Sequence, residues 1–176
     1  GGARAAAPSV HGLVLRAVAP NPAHARGGGR DRCVLSARHS SLLVDVQQYL
    51  CGYGLGLADL ANARGLGSLT PGHPEVRRTP GVEMSTGPLG QGVASGVGMA
   101  MAARHEQAIL DADGTSGVFD HTVWVIAGDG CMQEGVSAEA SSRAGTLRLD
   151  NMVVSWDDNH NTTDGPTSDA FSGEVR

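Results

Sequence analysis

The residue types best suited to chemistry cluster in two short segments, Gly128-Asp129-Gly130 and Asp157-Asp158-Asn159. Asp129 offers a carboxylate and Asn159 an amide oxygen. Both are hard donors of the kind magnesium takes, with phosphate and water completing an octahedral shell. Gly128 and Gly130 keep the backbone thin enough for a phosphate to come close. Each segment on its own equally suits a tight turn, the first with a helix cap. Their placement favours the ligand site. His121 to Ala127 (HTVWVIA) is β-rich and apolar, Glu134 to Leu147 has helical character, and Asn151 to Trp156 (NMVVSW) is a second strand. A strand–helix–strand unit of this kind is a right-handed parallel crossover. Both strands then end on one edge of the sheet, where open α/β folds bind ligands. Asp129 and Asn159 converge beside the amino end of the intervening helix, whose unpaired N–H groups favour an anion. The unit reads as a magnesium–diphosphate site.

Further elements precede this unit. Arg32 to Ser36 predicts a short strand. Ser41 to Cys51 predicts a helix with Leu42, Leu43, Val46 and Leu50 at helical spacing, and Leu57 to Ala63 a second, shorter one. Residues 67–92 carry too much Gly and Pro for a regular element and form a long structured loop, of the sort usually tied to function. Gly92 to Leu110 is a helix of small residues (Ala94, Gly96, Ala100, Ala102, Ala103), suited to close backbone packing. Gly90-Gln91-Gly92 with Gly96 is spaced G-x-G-x-x-x-G and follows no strand, so a dinucleotide fingerprint is set aside. Near the amino end, Val10 to Val18 predicts the tail of a helix stopped by Pro20 and Pro22.

Composition narrows the function classes. All 13 basic residues are Arg, which excludes a Walker lysine, a Schiff-base lysine and a lysine-rich nucleic-acid arm. Arg77-Arg78 is the only basic doublet and the net charge is −5, so no nucleic-acid footprint is expected. No apolar run is long enough to cross a membrane. Cys33, Cys51 and Cys131 lack C-x-x-C spacing, which points away from disulfides and zinc and toward a reducing, cytoplasmic setting. Asn161-Thr162-Thr163 matches a glycosylation sequon only by chance.

Four segments in order resemble the transketolase family, a group of thiamine-diphosphate enzymes. They are Thr70-Pro-Gly-His-Pro-Glu75, Thr79 to Gly92 (TPGVEMSTGPLGQG), Gly128 to Gly145 (GDGCMQEGVSAEASSRAG) and Trp156-Asp-Asp-Asn159. The match runs from about Arg30 to the end. It implies a three-layer α/β/α fold with a mostly parallel sheet, the thiamine-diphosphate-binding fold in incomplete form. Residues 1–30 would be a poorly structured or truncated amino-terminal segment, and residues 31–176 a truncated diphosphate-binding domain.

The resemblance also implies roles. Asp129, the Asn159 side chain and the Asn161 backbone carbonyl would bind magnesium. Gly128 and Gly130 would meet the diphosphate, and Gly87, Pro88 and Leu89 the aminopyrimidine. His39 would contact the cofactor, His73 the donor ketose, and Glu134 its symmetry mate across a dimer. The implied reaction is transfer of a two-carbon ketol unit between sugar phosphates. Its activating glutamate would come from a pyrimidine-binding domain or subunit, in a homo- or hetero-oligomer.

This sequence departs from the family at Arg38, where Gly is usual, and at Asn161 and Thr163, where Ile is usual. No counterpart of an upstream S-G-H-P-G segment occurs in residues 1–30. Two other readings are a non-catalytic remnant serving as an interaction module, and another thiamine-diphosphate enzyme such as a deoxyxylulose-phosphate synthase. The Pro88-Leu89-Gly90-Gln91 wording argues against the latter.

Overall fold

The computed structural model describes residues 11–12, 21–24, 27–37, 40–162 and 165–172. Most of the helix expected over Val10 to Val18, together with Arg38, His39 and Thr163, lies outside those residues. After a single 3₁₀ turn at Pro22–His24, the order of elements is β1 (Arg32–Leu35), α1 (Ser41–Leu50), α2 (Leu57–Ala61), α3 (Gln91–Leu110), β2 (Val123–Gly128), α4 (Asp129–Met132), α5 (Gly135–Leu147), β3 (Met152–Asp157) and α6 (Thr167–Ala170).

The strands form one sheet in the order β1-β2-β3, and both pairings are parallel. Arg32 lies opposite Val123 at the amino ends, and Gly128 opposite Asp157 at the carboxyl ends. Alternation along the strands divides the core into two. On one face Leu35 and Ile126 pack with Leu43 and Val44 of α1. On the other, Val34, Val123, Val125 and Ala127 pack with Val93 and Ala100 of α3. Helices on both faces of a parallel sheet give the three-layer α/β/α architecture.

The glycines of α3 explain how closely that helix lies on the sheet. A Cβ at Gly96 would overlap Val125 Cγ2, and one at Gly92 would sit 2.6 Å from Ser36 Cβ. Helix α1 differs from its sequence pattern. Leu42 and Leu50 are exposed at 42% and 53%, while Ser41, Asp45, Gln47 and Gln48 are buried beside Leu43 and Val44. The cause is a helix covered on two sides. The sheet takes Leu43 and Val44, and the long loop covers the polar flank, where Ser41 Oγ donates to the Gly72 carbonyl at 3.1 Å.

Residues 67–90 contain no helix or strand, as their composition requires. Buried hydroxyls hold the loop instead. Thr70 Oγ1 donates to the Asp59 carbonyl and Thr79 Oγ1 to that of Leu69, both at 2.7 Å. Backbone groups that regular structure would have paired are satisfied in this way.

Candidate functional site

Asp129 follows directly on β2 and opens the four-residue helix α4. The carboxylate is 4% exposed, and the chain beyond β3 closes over it. Asp129 Oδ2 accepts the backbone N–H groups of Asn159 and Asn161, each at 3.1 Å, and Oδ1 accepts Trp156 Nε1 at 2.9 Å. Asn159 Oδ1 accepts the Asn161 N–H at 3.1 Å, and its Nδ2 donates to Asp157 Oδ2 at 3.1 Å. His160 between them takes the left-handed conformation, φ 56°, which turns the chain back so that both flanking amides reach Asp129. The loop is then closed by Thr162 N–H to the Gly165 carbonyl at 2.7 Å and a bridge from Asn161 to Pro166.

Adjacent parallel strands thus bring Asp129, Asn159 and Asn161 together at the carboxyl edge of the sheet. The crossover helix α5 starts within one residue of the expectation, at Gly135, and the short helix α4 precedes it. The first turn of α5 also meets Gly90. Ser137 Oγ bonds the Cys131 carbonyl at 2.6 Å and reaches the Gly90 carbonyl at 3.5 Å. A Cβ on Gly90 would lie 2.8 Å from Glu134 Cβ, so Glu134, exposed at the cap of α5, stands beside the start of α3.

Leu89 joins the cluster at Gly130, where a Cβ would stand 3.3 Å from Leu89 Cδ1 and 4.0 Å from Thr162 Cβ. Gly87 is buried yet faces open space, with nothing within 4 Å of a Cβ there, and Pro88 beside it is exposed. The neighbouring Thr86 hydroxyl is buried without a hydrogen-bond partner among the described residues, as is that of Ser36 beneath Gly92. His73 is exposed on the long loop, and no described hydrogen bond ties it to Asp129. His39 lies outside the described residues.

The donor set suits a hard cation shared with a phosphate. Two carboxylate oxygens have about four lone-pair positions, and three donors occupy them here, leaving one at Oδ1. Asn159 Oδ1 has a second lone pair as well. Among the described residues no group of three His, Cys, Asp or Glu side chains could hold a metal. A cation here would draw the rest of its oxygen shell from ligand and water. Cys33 and Cys51 are poor nucleophiles: burial, reinforced by the Glu83 carboxylate, pushes the Cys33 thiol up to about 12, and burial raises Cys51.

Residues 1–176 match the family model described as "Transketolase, thiamine diphosphate binding domain". This chain belongs to the transketolase family. It is 49% identical over 173 residues to a transketolase of Mycobacterium tuberculosis, covering 97% of this chain and 25% of that protein. To a transketolase of Halalkalibacterium halodurans it is 49% identical over 170 residues, again 97% of this chain and 25% of the relative. The solved transketolase from Leishmania mexicana superposes with a TM-score of 0.90 at 41% identity, over 95% of this chain and 25% of that one. That from Campylobacter jejuni gives 0.83 at 44% identity with the same coverage. The chain therefore spans about a quarter of the length of these transketolases. The family match takes in residues 1–30 as well as the segment from Arg30 onward that carries the motifs.

Trp156 is the site residue that sequence reasoning passed over. Its signal was an indole at the end of β3, three positions before Asn159, where a ring N–H can reach across to the neighbouring strand's end. Thr86 and Ser36 gave no comparable signal, since an unpaired hydroxyl is visible only once the fold surrounds it.

Proposed function

We propose that this chain supplies the diphosphate- and magnesium-binding half of a transketolase-type enzyme, which moves a two-carbon ketol unit from a ketose phosphate to an aldose phosphate. The supporting observation is the convergence on buried Asp129 of the loop carrying Asn159 and Asn161, with lone pairs remaining on Asp129 Oδ1 and Asn159 Oδ1. Asp129, the Asn159 side chain and the Asn161 carbonyl would hold the magnesium, and Gly128 and Gly130 would leave room for the diphosphate. Gly87, Pro88 and Leu89 would border the aminopyrimidine, where the open space before Gly87 and the orphaned Thr86 hydroxyl suit a polar ring. When bound, thiamine diphosphate supplies the carbanion chemistry, and the protein positions and activates it.

His39 would contact the cofactor and His73, exposed on its loop, the donor ketose. Glu134 would meet its counterpart in a second copy, and its exposure beside Gly90 suits that role. The glutamate that activates the aminopyrimidine would belong to a pyrimidine-binding domain or subunit, so the chain alone would hold half a site. Three free cysteines suit a reducing cytoplasm. Among the described residues no helix is long and apolar enough to cross a membrane.

The test is a titration of thiamine diphosphate with and without magnesium, repeated on Asp129→Ala. The expected result is binding that requires the cation and is lost in the variant. Equal affinity in all three cases would sink the assignment.

A further inference from the structure

A second concave site lies at the opposite edge of the sheet. The Asp129 cluster sits at the carboxyl ends of β2 and β3, whereas Arg32 opens β1 at the amino edge, opposite Val123. There a cavity of about 710 Å³ is lined by Arg30, Arg32, Arg77, Arg78, Thr79 and Glu83, among others. Four arginines and one glutamate line it, a formal excess of three positive charges among the lining residues.

The two pairs of arginines differ in how they are held. Arg30, just before β1, and Arg32, its first residue, both pair with Glu83. Arg30 Nη1 contacts Glu83 Oε1, and Arg32 Nη1 lies 3.8 Å from Oε2. Arg32 Nη2 also donates to the Gly27 and Gly28 carbonyls at 3.0 Å. This wall is largely buried, with the Arg30 and Glu83 side chains 7% and 10% exposed, and burial pushes the Glu83 carboxyl above its ordinary range even with Arg30 and Arg32 beside it. Glu83 is thereby committed to that pair.

Across the cavity, Arg78 Nε donates to the Ser68 carbonyl at 2.8 Å, which anchors its stem. Arg77 forms no hydrogen bond or ion pair among the described residues. Its backbone is nevertheless held in the left-handed region, φ 69°. A non-glycine residue kept there carries strain, a condition that clusters at ligand sites.

We propose that this cavity binds a phosphomonoester of nucleotide or sugar-phosphate size, with Arg77 and Arg78 gripping the phosphate. Guanidinium forks match phosphate oxygens in bidentate geometry, and the formal surplus of positive charge favours a dianion. The volume falls in the range of small-molecule sites, about 300–1,000 Å³, and far exceeds a bare phosphate. The site is separate from the one assigned to the diphosphate and calls for no metal.

The test is calorimetric titration of the chain with AMP and with inorganic phosphate, without magnesium. Arg77→Gly is the informative variant, because glycine relieves the left-handed backbone while removing the guanidinium. AMP is expected to bind, and Arg77→Gly or Arg78→Gln to weaken it about tenfold, as loss of a charge-assisted hydrogen bond implies. Asp129→Ala should leave AMP affinity unchanged, which separates this site from the one proposed above. Absence of AMP binding, or wild-type affinity in Arg77→Gly, would overturn the proposal. Inorganic phosphate binding as tightly as AMP would refute the ester.

Discussion

Replacing Trp156 with Phe removes one atom group of consequence, the indole N–H that donates to Asp129 Oδ1 at 2.9 Å. The ring is 36% exposed, so Phe retains most of what it packs against. The loss falls on Oδ1 because the Asn159 and Asn161 amides both bond Oδ2. Asp129 is 4% exposed, which limits water's ability to replace the indole. A hydrogen bond to a charged group contributes about 1.5–3 kcal/mol. Taking about 2 kcal/mol, a chain of this size should melt roughly 4–8 °C lower. The melt is followed by circular dichroism in chelator and by fluorescence of Trp124, the one tryptophan left of the two. Loss of the group that orients a metal ligand lowers metal affinity by about 10–100-fold, so the magnesium needed to support thiamine-diphosphate binding should rise accordingly. A melting point and magnesium dependence indistinguishable from wild type would refute the orienting role. Tighter magnesium binding would mean that the indole competes with the cation for Oδ1, which inverts the reasoning.

Gly90→Ala should destabilise the chain by about 2–4 kcal/mol in a urea melt, from the left-handed backbone and overpacking together. The residue sits at φ 77°, and its Cβ would lie 2.8 Å from Glu134 Cβ and Ser137 Oγ. Wild-type stability would mean that α3 and α5 do not meet there. Asp45 supplies a pH test, since burial raises its carboxyl from 3.8 to about 6 in the folded chain. The folded state therefore holds a proton that the unfolded chain releases. The associated stability is present below pH 3.8 and is lost as pH rises through about 6. The shift corresponds to about 3 kcal/mol, which water screening reduces to about 1–2. Asp45→Asn should be more stable than wild type by that amount at pH 7.5 and equal to it at pH 3, and a variant no more stable at pH 7.5 would contradict the burial.

Apolar runs and glycine placement made much of this legible. The three strands, the small-residue helix and the irregular loop follow from them to within one or two residues at most ends. Asp129 and Asn159 were readable because parallel strands end on one edge. Helix α1 was not, because its buried face is set by what covers it: the amphipathic pattern assigns Leu42 and Leu50 inward, yet Asp45 and Gln48 are the buried ones. Helix α4 was also missed, since four residues are too few to show a period. The arginine cavity joins residues 30–32 with 76–83, a proximity that only the tertiary fold creates.

The two strand pairings differ in how much chain must be closed to make them. Residues 129–151 suffice between β2 and β3, whereas residues 36–122 lie between β1 and β2. Loop closure grows more costly with length, and pairing between distant segments is slow. The β2–α5–β3 unit should therefore assemble first, carrying Asp129, Trp156, Asn159 and Asn161 with it, and β1 should dock later. During synthesis, though, β1 leaves the ribosome well before its partner strand exists. For that interval Val34 and Leu35, each under 5% exposed in the finished fold, have no sheet to bury them. Helix α1 follows immediately, and Leu43 and Val44 are the first apolar surface that Leu35 can meet.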